Sequence, residues 1–138
     1  MTQARAGESL EGLRVLVVED VLLVAEMIAE MLAAGGIRVV GPVARVASAL
    51  VLAREETLDG ALLDVNLAGE NSGPVAEALT ARGVPFIFLT GYGDAGALPP
   101  NFRDTPRIAK PFREQELATA MTARFRRTAR PSADTAIG

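Results

Sequence analysis

Five side chains able to handle charge or react stand where short apolar runs stop. Glu19 and Asp20 follow Leu13–Val18, Asp64 ends Gly60–Asp64, Thr90 ends Pro85–Thr90, and Lys110 follows Arg107–Ala109. Carboxylates brought to one place repel: two unit charges about 4 Å apart cost about 4 kcal/mol at an effective dielectric near 20. Lys110 supplies one positive charge, and an oxygen-seeking divalent ion such as Mg2+ would supply the rest. A carboxylate beside such an ion and an ammonium is a competent nucleophile toward phosphorus. Both cations neutralise the oxygens of an incoming phosphoryl group.

A second pattern competes for the same region. Gly91-x-Gly93-x-x-Gly96 follows an apolar run and carries the letters of a dinucleotide-binding turn. That turn belongs after the first strand and must open a helix. Here it follows the fourth apolar run, and Pro99-Pro100 discourage the helix that would hold a pyrophosphate. Glu116 lies at about the expected distance downstream, but in the first turn of an amphipathic segment. The glycines are therefore read as a pliable loop beside Thr90. Tyr92 either shields a phosphoryl group from water or is a plain loop residue.

The elements that must position these groups alternate. Leu13–Val18, Ile37–Val40, Gly60–Asp64, Pro85–Thr90 and Arg107–Ala109 read as strands, buried where they are almost uniformly apolar. Between them, Val21–Ala34 places Val24, Ile28 and Met31 on one side and Glu26 and Glu30 on another, with Asp20 as its cap and Gly35-Gly36 as its stop. Ala47–Glu56 is a second helix with Leu50 and Ala53 inward. Gly41-Pro42 closes the second strand, Asn66–Ser72 is a loop, and Pro74 opens a third helix that Gly83 stops. Gly91–Pro106 has little apolar periodicity, so a fourth helix there is expected to be weak or missing. Arg113–Arg127 is a last helix with Leu117, Met121 and Phe125 on one stripe, an acidic start and a basic end. The alternation predicts an α/β fold: a doubly wound, five-stranded parallel sheet with helices on both faces. In such sheets, functional groups collect outside the carboxyl ends of the strands.

Bulk composition narrows the chemistry. The chain has 138 residues, 49% of them hydrophobic, with a net charge of −3. One domain is expected over 13–127, with flexible ends at 1–12 and 128–138. The charge offers no reason to expect nucleic-acid binding. There is no Cys and no His, which removes thiol chemistry, the commonest general base and the commonest transition-metal ligand. The N-terminus lacks a signal-peptide core, and Glu26 and Glu30 interrupt the richest apolar run. A cytoplasmic protein without a membrane partner is expected.

The ordered set Glu19-Asp20, Asp64-x-Asn66, Thr90-Gly91 and Lys110-Pro111-Phe112 resembles the receiver domain of two-component response regulators, from about Leu13 to Phe125. The resemblance implies a flavodoxin-like sheet with the strand order 2-1-3-4-5, and that Glu19, Asp20, Asp64 and the backbone carbonyl of Asn66 hold Mg2+. It implies that Asp64 accepts a phosphoryl group from a sensor histidine kinase or a histidine phosphotransfer protein. Thr90, the Gly91 N–H and Lys110 would hold that group, and Pro111 would follow a cis peptide bond. Arg107 stands where most receivers carry a Tyr or Phe that changes rotamer on activation, so readout would rest on Thr90 and the loop with Tyr92. With Pro99, Pro100 and the PFIFLTGYG run, this resembles a subfamily common in alphaproteobacteria and often unattached to an output domain. The implied function is a stand-alone receiver that signals through an unidentified downstream protein, with no enzymatic activity beyond its own phosphorylation and dephosphorylation. Two other readings stay open. One is a Mg2+-dependent phosphohydrolase with an aspartyl nucleophile, although Asp64-Val65-Asn66 lacks a second carboxylate two residues on. The other is a pseudo-receiver that binds partners without phosphorylation.

Overall fold

The computed structural model describes residues 10–91, 93–94 and 97–137, with side chains as far as Phe125. Seven strands are found among these residues: β1 (Arg14–Val18), β2 (Arg38–Val43), β3 (Gly60–Asp64), β4 (Asn66–Leu67), β5 (Glu70–Asn71), β6 (Phe86–Thr90) and β7 (Arg107–Ala109). The α-helices are α1 (Leu22–Ala34), α2 (Val46–Glu55), α3 (Gly73–Ala81) and α4 (Glu114–Ile137). The main sheet is parallel with the order β2-β1-β3-β6-β7, the arrangement expected. The order reverses beside β1, so the carboxyl ends of β1 and β3 flank the switch point.

Strand alternation sorts the core into two layers. Leu16, Val18, Ala61, Leu63, Phe86 and Phe88 pack on one face with α2 and α3. Val15, Val17, Leu62, Ile87 and Leu89 pack on the other with α1 and α4, as the two-residue period of a strand requires. The stripe Leu117, Met121 and Phe125 is buried as predicted. On α1 the buried positions are Ala25, Ile28 and Leu32, one residue on from two of the three expected, with Val24 and Met31 at the margin. On α2 they are Ala49 and Ala53, with Leu50 at the margin. Small residues there let the helix lie close to the sheet.

Four local expectations are corrected. The second strand continues through Gly41 and Pro42 to Val43. An edge strand tolerates a residue without an N–H, and the register with β1 shifts between Leu16 and Val18 to absorb it. Asn66–Ser72 contains the small hairpin β4–β5, in which Leu67 pairs with Glu70. Its two-residue loop needs positive φ at both positions, supplied by Ala68 (φ 51°) and Gly69 (φ 92°). Asp20 does not cap α1, whose N-cap Val21 makes no side-chain cap bond, because Asp20 is turned toward the hairpin. The last helix runs on to Ile137, past its expected end at Arg127. Its backbone hydrogen bonds are local, and the Arg and Ala residues of this stretch are good helix formers.

Between β6 and β7, the described residues form no α-helix. The regular element there is a 3-10 turn, Pro100–Phe102, in keeping with the weak or missing fourth helix. Phe102 still reaches the core, edge-on to Phe86 and Phe88 at centroid distances of 5.7 and 6.2 Å. No helix among the described residues is long and apolar enough to cross a membrane.

Gly60 sets how closely α4 docks. A β-carbon at this position would lie 2.7 Å from the Phe125 ring. Gly60→Ala is therefore expected to lower stability by about 1–3 kcal/mol, read as a fall in Tm, and Phe125→Leu on that background should recover part of the loss. Unchanged stability in Gly60→Ala would show that α4 is not held by this contact.

Candidate active site

The carboxyl ends of β1, β3 and β6 and the residue after β7 deliver their side chains to one rim. Glu19 lies just past β1 and is fully buried, and Asp64 ends β3 with 2% exposure. Lys110 Nζ donates to Glu19 Oε1 at 3.0 Å and to Asp64 Oδ1 at 3.1 Å. Glu19 Oε2 accepts from Val21 N at 3.0 Å, so both of its oxygens are engaged. Asp20 Oδ2 accepts from Ala68 N at 3.0 Å. The hairpin loop at Ala68, in a conformation that non-glycine residues rarely adopt, thus holds Asp20 at the rim. Nothing in the sequence signalled that contact.

Burial dominates the electrostatics. The Asp64 carboxyl is raised to about 8, first by burial, then by hydrogen bonding to Glu19 and by the charge of Glu19; Lys110 pulls the other way. Burial alone would lower the Lys110 ammonium, but the bonds and charges of Glu19 and Asp64 raise it overall. A 3.1 Å ion pair and a protonated Asp64 at neutral pH look contradictory. They are reconciled by charge: one ammonium between two buried carboxylates neutralises one of them, and the other keeps a proton.

One carboxylate oxygen from each of Glu19, Asp20 and Asp64 lies within 4.8 Å of the others. The donors are all hard oxygens, and full ionisation would leave two negative charges beyond what Lys110 matches. That set fits a divalent oxygen-seeking ion such as Mg2+ in both donor type and charge.

The remaining predicted residues sit around this centre. Asn66 opens β4, and its side-chain Oδ1 accepts from Gly69 N at 2.9 Å. Thr90 ends β6, buried, and its hydroxyl donates to Ile108 O over a long 3.4 Å rather than to the acidic cluster. Gly91 N donates to Asp94 Oδ2 at 2.8 Å. Only the spacing of a four-residue turn hinted at this partner. The Lys110–Pro111 peptide bond is cis, as is Gly41–Pro42. Arg107 opens β7, exposed, with Nη1 donating to Arg103 O at 3.2 Å. Tyr92 and Gly96 lie outside the described residues.

Comparison with known proteins gives one consistent result. A response regulator receiver domain model matches residues 15–122. No curated protein matches the chain significantly. Among solved structures, SdrG from Sphingomonas melonis Fr1 is 43% identical, with a TM-score of 0.73 over 83% of this chain and 96% of that one. The BeF3-activated conformation of SdrG, from Pseudomonas melonis Fr1, is 42% identical, with a TM-score of 0.67 over 80% and 93%. The receiver domain of sensor histidine kinase PA1611 from Pseudomonas aeruginosa PAO1 holds a magnesium ion in its active-site cleft. It is 29% identical, with a TM-score of 0.66 over 81% and 96%.

Proposed function

Because this chain belongs to the response regulator receiver domain family, we propose that it accepts a phosphoryl group on Asp64 and signals through contacts with other proteins. The observation that carries this reading is the buried Asp64 held by Lys110 inside a three-carboxylate cluster. In the proposed step Asp64, which a bound divalent ion would keep ionised, attacks phosphorus through a carboxylate oxygen, and the bond from phosphorus to the donor atom breaks with its electron pair leaving on the donor. The Lys110 ammonium, already 3.1 Å from Asp64, then meets a phosphoryl oxygen. The Thr90 hydroxyl and the Gly91 N–H are the further donors at the same rim. A divalent ion held by Glu19, Asp20, Asp64 and the Asn66 carbonyl would supply the missing positive charge. Asp20 is the ligand most open to it, since both Glu19 oxygens already have partners.

The donor we propose is a histidine kinase or phosphotransfer protein. Val21, Leu22 and Leu23 stand 49%, 70% and 77% exposed next to Asp20, an apolar rim suited to a partner helix that carries a phosphohistidine. A phosphohydrolase is disfavoured because residue 66, an Asn, offers no acid/base carboxylate.

Acetyl phosphate with Mg2+ should add one phosphoryl mass increment, and omission of Mg2+ should remove it. Asp20→Asn should weaken Mg2+ binding by tenfold or more on the usual cost of about 1.4 kcal/mol per decade, measured by calorimetry. Stoichiometric labelling in chelator, or Mg2+ affinity untouched by Asp20→Asn, would overturn the metal assignment. Steady release of phosphate from small esters would favour the hydrolase.

A further inference from the structure

Gly91 begins the connection after β6, next to Thr90, and its amide is occupied. The N–H donates to Asp94 Oδ2 at 2.8 Å, while Asp94 N donates to Gly91 O at 3.1 Å. A β-carbon on Gly91 would lie 3.2 Å from that Asp94 oxygen and 3.9 Å from Lys110 Cε. The Asp94 carboxylate and the Lys110 side chain therefore converge on the same glycine. Lys110 nevertheless directs its ammonium to Glu19 and Asp64, and no Lys110–Asp94 ion pair is found among the described residues. Asp94 is a carboxylate placed on a backbone donor at the edge of an acidic site, with that donor as its one described partner.

We propose that Asp94 is a resident competitor for the phosphoryl group: in the unmodified protein it occupies the Gly91 amide, and it must leave before a phosphoryl oxygen can take that donor. The inference rests on the phosphoacceptor reading above. Two physical effects act together. An acceptor tethered three residues away competes at high effective concentration for a single N–H. Its charge also adds to an already over-acidic rim, raising the cost of bringing in an anion. Arrival of the phosphoryl group exchanges one charge-assisted hydrogen bond for another of similar strength. It frees Asp94, and with it the turn that the Gly91–Asp94 bonds close. The unphosphorylated and phosphorylated states then differ in the connection between β6 and β7, on the same rim as Lys110 and without any role for an aromatic side chain at position 107.

Beryllofluoride, which mimics a phosphoryl group on a carboxylate, gives a test independent of any donor protein. It is titrated into wild type, Asp94→Ala, Asp94→Asn and Asp104→Asn at saturating Mg2+, followed by amide NMR. Asp94→Ala should bind roughly tenfold more tightly, the scale of one charge-assisted hydrogen bond. Asp94→Asn, which keeps an oxygen acceptor but loses the charge, should fall between Ala and wild type. Asp104→Asn removes a charge from the same connection and should leave affinity unchanged. The Gly91 amide should exchange faster in metal-free Asp94→Ala than in wild type, and regain protection with beryllofluoride. Equal or weaker binding in both Asp94 variants would overturn the proposal and leave Asp94 a turn-closing residue. So would equal tightening in Asp104→Asn. A wild type that does not bind beryllofluoride at all would instead overturn the phosphoacceptor reading on which the proposal stands.

Discussion

Replacing Asp64 with Asn is expected to abolish phosphorylation by acetyl phosphate while raising the stability of the metal-free protein at pH 8. The loss follows from chemistry. An amide oxygen is a far weaker nucleophile than a carboxylate, and among the described residues no other acid shares the geometry of Asp64, buried at the end of β3 with Lys110 at 3.1 Å. Glu19 is the nearest rival, but its two oxygens are bound by Lys110 and by Val21 N. Labelling should fall at least a hundredfold, the scale on which losing a positioned catalytic group is felt. The gain in stability follows from burial. Asn keeps an oxygen for the Lys110 ammonium and gains an amide that can donate to Glu19. It removes a carboxylate that the low-dielectric setting resists charging. Intact mass and thermal melts on the same samples check both halves. Full-yield labelling of Asp64→Asn would show that the acceptor is another residue, and a lower Tm at pH 8 would refute the account of the electrostatics.

The metal-free protein should lose stability as pH rises from 5 to 8, and Mg2+ should restore most at the upper end. The folded-state Asp64 carboxyl is raised from an ordinary 3.8 to about 8, so the native chain binds this proton more tightly than the unfolded chain does. Its stabilising contribution is complete below about 3.8 and lost as pH climbs through about 8. Between those values the slope approaches about −1.4 kcal/mol per pH unit for one proton. Lys110 adds no opposing slope in this range, since its ammonium is raised further above it. A divalent ion favours the ionised carboxylates, so its stabilising effect grows as the proton is removed. Denaturant melts at pH 5, 6.5 and 8, with and without Mg2+, give the slopes, and subtracting those of Asp64→Asn isolates this one group. A flat wild-type profile, or a slope that survives Asp64→Asn, would place the pH dependence elsewhere.

The strands and helices of the sheet could be read directly because such elements announce themselves locally, while the order of the strands came with the family resemblance. Leu13–Val18, Gly60–Asp64 and Pro85–Thr90 are apolar on both faces, as strands covered by helices on both sides must be, and the structure places β1, β3 and β6 at those positions. The same logic puts Glu19, Asp20, Asp64, Thr90 and Lys110 at strand ends, since every strand run except Ile37–Val40 stops at one of them. Parallel topology then sends every such end to one rim, and that step needs only the alternation of elements. Boundaries were less legible. Pro42 reads as a stop, yet an edge strand has a free side on which a missing N–H costs nothing, and which strand is an edge is settled by pairing. Past Arg127 the apolar stripe ends and the helical backbone does not, because its hydrogen bonds are local.

What the sequence by itself determined is therefore the set of reactive groups, their order along the chain and the rim on which they meet. Those follow from hydrophobic period and chain topology, which are properties of neighbouring residues. Only the tertiary structure decided what each group does there at rest. The Lys110 ammonium bridges Glu19 and Asp64, Asp20 is held by Ala68 in the β4–β5 hairpin, and the Gly91 amide is taken by Asp94. The Thr90 hydroxyl is turned to the Ile108 carbonyl. These pairings join side chains to one another or to backbone groups, several of them dozens of residues apart. Their energies depend on burial and on distances of a few tenths of an ångström. No local pattern encodes such distances; they exist once the sheet, its helices and the loops between them are packed.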